Sequence, residues 1–340
     1  MFISVRARPP LPCPPSREIV WGCPAFWPGW LLGTDVKAIA FACPYKGRSG
    51  LHRLSAKESR VAARGPVGFT SRQVSLVLFE RSPMVNILCI GDVVGTVGCQ
   101  FLRAKLPALK KMKGVDLVVC NGENSADGNG VTQASVQYLL DSGVDVVTTG
   151  NHSFRRRESY DLYHECPTLL RPANFPAAAP GKGLCTVDLG RVQVAVVNLI
   201  GTVYLESQRC PFETLAALLR TPGLPRLCVV DFHAEATGEK RAMGFFADGK
   251  VTALFGTHTH VQTADEALLP HSTGYITDVG MTGVIDSVLG VKPEIIIKKL
   301  TTKMPARFDL AKGPCHMDCI LFTADEKTGL CTGVERLSLV

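Results

Sequence analysis

From Met84 onward one phrase keeps returning: a short apolar run ends in a carboxylate, carboxamide or imidazole, and a turn or helix follows. "VNILCIGD", "VDLVVCNGEN" and "VDVVTTGNH" are three such runs, with "LCVVDFHAE" and "VTALFGTHTH" later in the chain. Strands this apolar are covered on both faces, as parallel strands are when helices pack over them. Between the early runs, "VGCQFLRAKLPALKKMK" carries helical spacing of its apolar residues. "TQASVQYLLDSG" reads as a helix with Thr132 as N-cap and Gly143 at its end. Alternating strands and helices of this kind predict an α/β layered sheet. Farther on, "CTVDLGRVQVAVVNLIG" reads as a hairpin turned at Leu189-Gly190-Arg191, "TGYITDVG" as another strand, and the C-terminal stretch as a hairpin about its Asp-Glu-Lys-Thr-Gly turn. No internal repeat or heptad is visible, and no run approaches the ~20 apolar residues of a membrane span.

The preceding segment follows different rules. Residues 1–83 hold all three tryptophans and ten of the 22 prolines, in an order that fits neither helix nor strand. They also hold 12 Lys/Arg against 4 Asp/Glu, whereas the rest of the chain has 25 against 26. The net charge of +7 therefore belongs to this segment, and the charge of the remainder gives no indication of a nucleic-acid partner. We read residues 1–83 as a poorly ordered N-terminal extension that need not belong to the mature protein, and residues 84–340 as one folded domain. No secretory signal is present. The 13 cysteines lack the spacing of a zinc knuckle and read as reduced thiols, so a cytoplasmic protein is expected.

The run ends carry the chemistry. They deliver Asp92, Asn121 to Asn124 (with Glu123), Asn151-His152, Asp231 to His233, and His258-Thr259-His260. In open α/β sheets ligands bind beyond the carboxyl ends of the strands, so these donors are expected to converge. One of them alone would be a helix cap, a turn former or a strand-end histidine; five in register point to a shared site. Oxygen and imidazole donors without thiolate suit Mn, Fe or Zn in a hydrolytic site. There are enough for two ions ~3.5–4 Å apart, which would activate a water and clamp a phosphate ester.

Seven ordered stretches, "GDVVG", "NGENSADGNGVT", "TTGNH", "RPANFP", "DFHAEATGEK", "GTHTHVQTADE" and "YITDVGMTG", together resemble the YmdB-type branch of the calcineurin-like metallophosphoesterases. The resemblance implies a four-layer α/β/β/α sandwich and a binuclear centre, usually iron or manganese. It also implies hydrolysis of phosphodiesters, notably 2′,3′-cyclic nucleotides, by attack of an ion-activated water. Carried over by motif, Asp92 would bind the first metal and Glu123 would bridge both, with Asn124 beside it. Asn151, His233 and His258 would serve the second ion, and His260 the first. His152 would protonate the leaving oxygen or stabilise the charged transition state. The chain departs from the family after "GNH", where "SFRRRE" keeps an aromatic at Phe154 but puts Arg155 in place of an acidic residue. A solvated basic turn is the simpler reading; a contact between one arginine and substrate phosphate is the sharper one.

Other classes fit poorly. "GDVVGTVG" lacks the G-x-G-x-x-G spacing, and neither a P-loop Gly-Lys-Ser/Thr nor a G-x-S-x-G elbow occurs. A phosphomonoesterase, or a nucleotide- or RNA-binding regulator with slow turnover, stays open beside the diesterase, as does assembly into a homo-oligomer. His52, His164, His271 and His316 fall in no motif.

Overall fold

The structure, a computed structural model, describes residues 83–206 and 208–340. The extension expected before Met84 lies, apart from Pro83, outside the described residues.

β1 (Met84–Ile90) sets the pattern. Val85, Ile87 and Cys89 enter one core cluster while Leu88 and Ile90 enter another, as the two-residue period of a strand requires. After it come β2 (Asp92–Val93), α1 (Gly95–Lys113), β3 (Leu117–Asn121), α2 (Gln133–Asp141) and β4 (Val146–Thr148). A 3-10 turn at Arg157–Ser159, α3 (Leu162–Glu165) and β5 (Leu169–Leu170) complete this half. β1, β3, β4 and β5 are parallel neighbours. α2 begins where expected: Thr132 Oγ1 accepts the Ser135 N–H, and Ser135 Oγ accepts the Thr132 N–H.

The second half opens with the hairpin of β6 (Leu184–Asp188) and β7 (Gln193–Ile200), turned with Gly190 at φ 81°. Then follow α4 (Pro211–Leu218), β8 (Leu227–His233), α5 (Thr237–Ala247) and β9 (Ala253–Thr257). β10 (Ala267–Leu268), β11 (Gly274–Ile276), β12 (Met281–Val284) and α6 (Pro293–Thr302) lead to the closing hairpin of β13 (Cys315–Asp325) and β14 (Cys331–Leu339).

Two sheets result. One runs β2-β12-β13-β1-β3-β4-β5, with β14 also paired to β13; the other runs β10-β11-β9-β8-β7-β6. Ile87, Val119 and Ile320 of the first sheet share a cluster with Val196, Val229 and Phe255 of the second. On the outer face of the first sheet, Leu88 and Val118 pack under Leu102 and Leu106 of α1 and Leu139 of α2. On the outer face of the second, Val197 and Phe232 pack under Leu215 of α4 and Met243 of α5. Helix, sheet, sheet, helix is the four-layer α/β/β/α sandwich that the family resemblance implies.

Several boundaries shift. β1 ends at Ile90, and Asp92 starts β2, which pairs with β12. The third expected strand is regular only over Val146–Thr148, and "TGYITDVG" only over Gly274–Ile276. β9 stops at Thr257, so both histidines of "HTH" lie beyond it. The described cysteines are unpaired and mostly buried. No described helix is long and apolar enough to cross a membrane.

Candidate metal centre

The carboxyl ends of β1, β3 and β4 in one sheet and of β8 and β9 in the other meet at a single rim. Asn151 and His233 touch across it, with Asn151 Oδ1 3.0 Å from His233 Nε2. Asp92 Oδ2 accepts the backbone N–H of His258 at 3.0 Å. All the expected site residues come together here.

They fall into two adjoining groups. In one, Asp92 Oδ1 lies 3.5 Å from His260 Nε2, and the Asn124 amide nitrogen is 3.4 Å from the same carboxylate oxygen. In the other, Glu123 Oε1 lies 3.3 Å from His233 Nε2, and Glu123, His233 and His258 each offer a ligand atom within 4.8 Å of one another. Glu123 also faces His152, whose backbone N–H it accepts at 3.0 Å and whose Nδ1 lies 3.2 Å from Oε1. Asn124 Oδ1 accepts from His152 Nδ1 at 2.7 Å, which fixes that nitrogen as a proton carrier and leaves Nε2 for other work.

A second layer holds these side chains. Thr257 Oγ1 gives its one hydrogen to Asp231 Oδ1 at 2.7 Å, so at 2.9 Å it accepts from His233 Nδ1. That pattern makes Nδ1 a donor to Thr257 and turns Nε2 toward Glu123 and Asn151, where it would bind a metal on giving up its proton. Asn121 donates to Asp231 Oδ2 and accepts the N–H of Glu123. Gly150 is required by close approach: a Cβ there would sit 2.1 Å from His233 Cδ2.

The "HTH" turn has its own brace. His258 and His260 adopt φ 96° and 61°, conformations a side-chain-bearing residue holds only when its surroundings insist. Between them Thr259 donates from N and Oγ1 to Asp278 Oδ2, at 3.2 and 2.7 Å. Lys240 Nζ reaches the same oxygen at 2.5 Å, and both partners of this pair are fully buried.

The electrostatics show what the site lacks. Burial opposes charge on His233, but Glu123 and its neighbouring carboxylates overcome it and push the imidazole up to about 9. Burial lowers His258 to about 3, helped by charge on His233, so His258 stays a neutral donor. Burial raises Asp231 to about 6. Glu123 is held well below its usual range, burial being outweighed by His233 and His152. Two buried carboxylates that hold a proton on His233, beside the neutral His258 and amide oxygens, fit divalent cations that would take that proton's place.

Sequence reasoning placed Asn121 and Asp231 among the strand-end donors without giving them a role, and it overlooked Thr257, Lys240 and Asp278, and also Glu235, whose Oε2 lies 3.1 Å from His258 Nε2. Of the three arginines after "GNHSF", Arg156 is strapped to the carbonyls of Asn129 and Ala126 at 2.9 and 2.7 Å. Arg155 is exposed and lines a cleft with His152. Phe154 packs on Tyr160, Tyr163 and Phe175. His271 and His316 pair with Asp248 and Asp318.

Two sheets back to back, with carboxylates and imidazoles gathered at their shared rim, define a metallophosphoesterase-type sandwich. The family model described as YmdB-like protein matches residues 88–337, and the chain belongs to that family. A 2′,3′-cyclic-nucleotide 2′-phosphodiesterase of Bacillus subtilis is 43% identical over 258 residues, 74% of this chain and 96% of the relative. A crystal structure of a hypothetical protein from Thermus thermophilus superposes with TM-score 0.71 at 34% identity, covering 75% of this chain and 98% of that one. A Mycoplasma pneumoniae protein described as a novel phosphatase superposes with TM-score 0.73 at 31% identity, covering 76% and 95%. The family and the relatives support a phosphoesterase that uses divalent metal.

Proposed function

We propose that the protein is a two-metal phosphodiesterase that opens 2′,3′-cyclic nucleotides, with residues 84–340 as its catalytic domain in the cytoplasm. One observation carries the reading: seven donors from five strand ends share one rim beside His152. Asp92 and His260 would hold the first ion, and Asn151, His233 and His258 the second, with Glu123 between them and Asn124 beside it. The oxygen and imidazole donors, without thiolate, favour iron or manganese. Bound cations would supply the charge that activates a water and neutralises the phosphate oxygens.

The chain's own side chains do the rest. His152, held through Nδ1 by Asn124 and Glu123, presents Nε2 to the leaving oxygen. As water adds to phosphorus, the P–O2′ bond breaks, its electron pair stays on O2′, and His152 delivers the proton there. The product is a 3′-nucleotide, in line with the 2′ specificity in the Bacillus relative's description. Thr257 and Asp231 keep the His233 tautomer correct throughout.

The test pairs metal analysis with an ester panel of 2′,3′-cyclic and 3′,5′-cyclic nucleotides, p-nitrophenyl phosphate and its bis ester. We expect two metals per chain, preference for the 2′,3′-cyclic ester, and a 3′-phosphate product. Undiminished turnover by thoroughly chelated, folded protein, or by Asp92→Asn, would sink the proposal.

A further inference from the structure

A cleft of about 1080 Å³ has His152 in its wall. One side comes from the loop after β3 and the turn after β4; the other comes from Val291 and Lys292 just before α6 and from the segment between α6 and β13, far later in the chain. Five cationic side chains line it (Arg155, Arg156, Lys292, Arg307 and Lys312) against two acids, Asp127 and Asp309. Arg156 is committed to backbone carbonyls, and Lys292 lies 3.7 Å from Asp309. Arg155, Arg307 and Lys312 are exposed and form no ion pair among the described residues.

This surplus is local. Residues 84–340 have 25 Lys/Arg against 26 Asp/Glu, so general basicity does not explain it. A cyclic mononucleotide does not explain it either, because its one phosphate belongs at the metal centre and leaves three cations without an anion. Phe308, 47% exposed in the same wall, adds an aromatic face on which a base can stack. Spare cations along a groove with an aromatic platform form the pattern that tracks a single-stranded nucleic-acid backbone.

We propose that this cleft binds the phosphates preceding the 3′ end of a short single-stranded RNA whose terminal 2′,3′-cyclic phosphate enters the metal centre. The inference rests on the cyclic-phosphate reading above and names the larger substrate class that the site accepts. The reaction is unchanged: water adds at phosphorus, the P–O2′ bond breaks, and the RNA leaves with a 3′-phosphate. Chain length adds anchoring on the cleft and not new chemistry.

The test compares kcat/KM for a nucleoside 2′,3′-cyclic phosphate with that for ribo-oligonucleotides of two to six residues bearing the same terminus, using metal-loaded full-length protein. We expect kcat/KM to rise at least tenfold with length. Three phosphate contacts on a single strand predict a salt slope of about −2, so most of the gain should vanish, about twentyfold, between 50 and 200 mM salt. Arg307→Ala with Lys312→Ala should abolish the gain, while Arg220→Ala, just beyond the end of α4 and away from the cleft, should keep it. Equal kcat/KM for mononucleotide and oligonucleotide in the wild type, or a length gain that survives the double change, overturns the proposal. No hydrolysis of any cyclic phosphate by wild type would instead remove the underlying reading, so the two failures are distinct.

Discussion

Replacing Gly150 by alanine tests the centre through a residue with no side chain of its own. The new Cβ would stand 2.1 Å from His233 Cδ2 and 2.2 Å from Nε2, against the 3.4 Å or more of ordinary contact. Either the ring or the backbone after β4 must retreat by about 1.3 Å, because a close-packed interior has no spare volume to absorb the overlap. The ring is poorly placed to move. It is fully buried, lies 2.9 Å from Thr257 Oγ1, and has the His258 ring 4.7 Å away. Moving the backbone instead shifts Asn151, whose Oδ1 now sits 3.0 Å from His233 Nε2. Either route separates donors assigned to the same ion. A displacement near 1 Å costs about 10²-fold in rate, and disturbed support of a ligand costs 10–100-fold in metal affinity. Gly150→Ala should therefore keep the first ion, lose the second at limiting metal, and drop about 10²-fold in kcat/KM on a 2′,3′-cyclic nucleotide. Metal analysis and kinetics read this, with circular dichroism confirming the fold. A folded Gly150→Ala protein with two tightly held ions and wild-type kcat/KM would refute the assignment of His233.

Three further outcomes follow from the same contacts. His152→Gln should lower kcat by about 10²–10⁴ with metal content intact; loss of metal would mean that His152 is a ligand and not the proton donor. Lys240→Met leaves the buried Asp278 carboxylate without its cation, a change that typically costs ~3–5 kcal/mol, so thermal unfolding should come markedly earlier. An unchanged melting curve would show that Asp278 finds another counter-charge. Asp265 is raised by its burial, but hydrogen bonds from Thr277 and Thr263 outweigh this and lower it from 3.8. Its stabilising effect is thus present above the unfolded value and lost as pH falls through the folded one. Asp265→Asn should melt below wild type at pH 7, with the gap closing below pH about 4; a constant gap would remove the carboxylate from the account.

The layers were legible because β1, β3, β7 and β8 are apolar on both faces, and residues facing two cores leave no room for polar alternation. The helices of the second half were harder. α6 buries none of its residues, so no apolar stripe had to be written into it. α5 carries Gly238 and Gly244, which weaken a helical pattern. Gly244 is there because a Cβ would meet the Tyr275 ring at 2.5 Å, a reason that exists only in the folded protein. The role of Asp231 was hidden for a similar cause: in "LCVVDFH" it reads as one more strand-end donor, and only the fold supplies Thr257 from the neighbouring strand and Asn121 and Thr148 from the other sheet as its partners.

The two histidines around Thr259 show where pattern and cause part company. A spacing of two suggests a strand with both rings on one face, yet β9 has ended at Thr257 before either histidine is reached. Both residues instead take left-handed backbone, and that costs free energy unless the intervening residue is pinned. Asp278 pins it, Lys240 holds Asp278, and Gly280 donates its N–H to the other carboxylate oxygen at 2.8 Å. The spacing of His258 and His260 was therefore a true signal of convergence carried by a different geometry. The "GEK" and "TDVG" stretches, which supply no ligand, belong to the site as firmly as the histidines they hold in place.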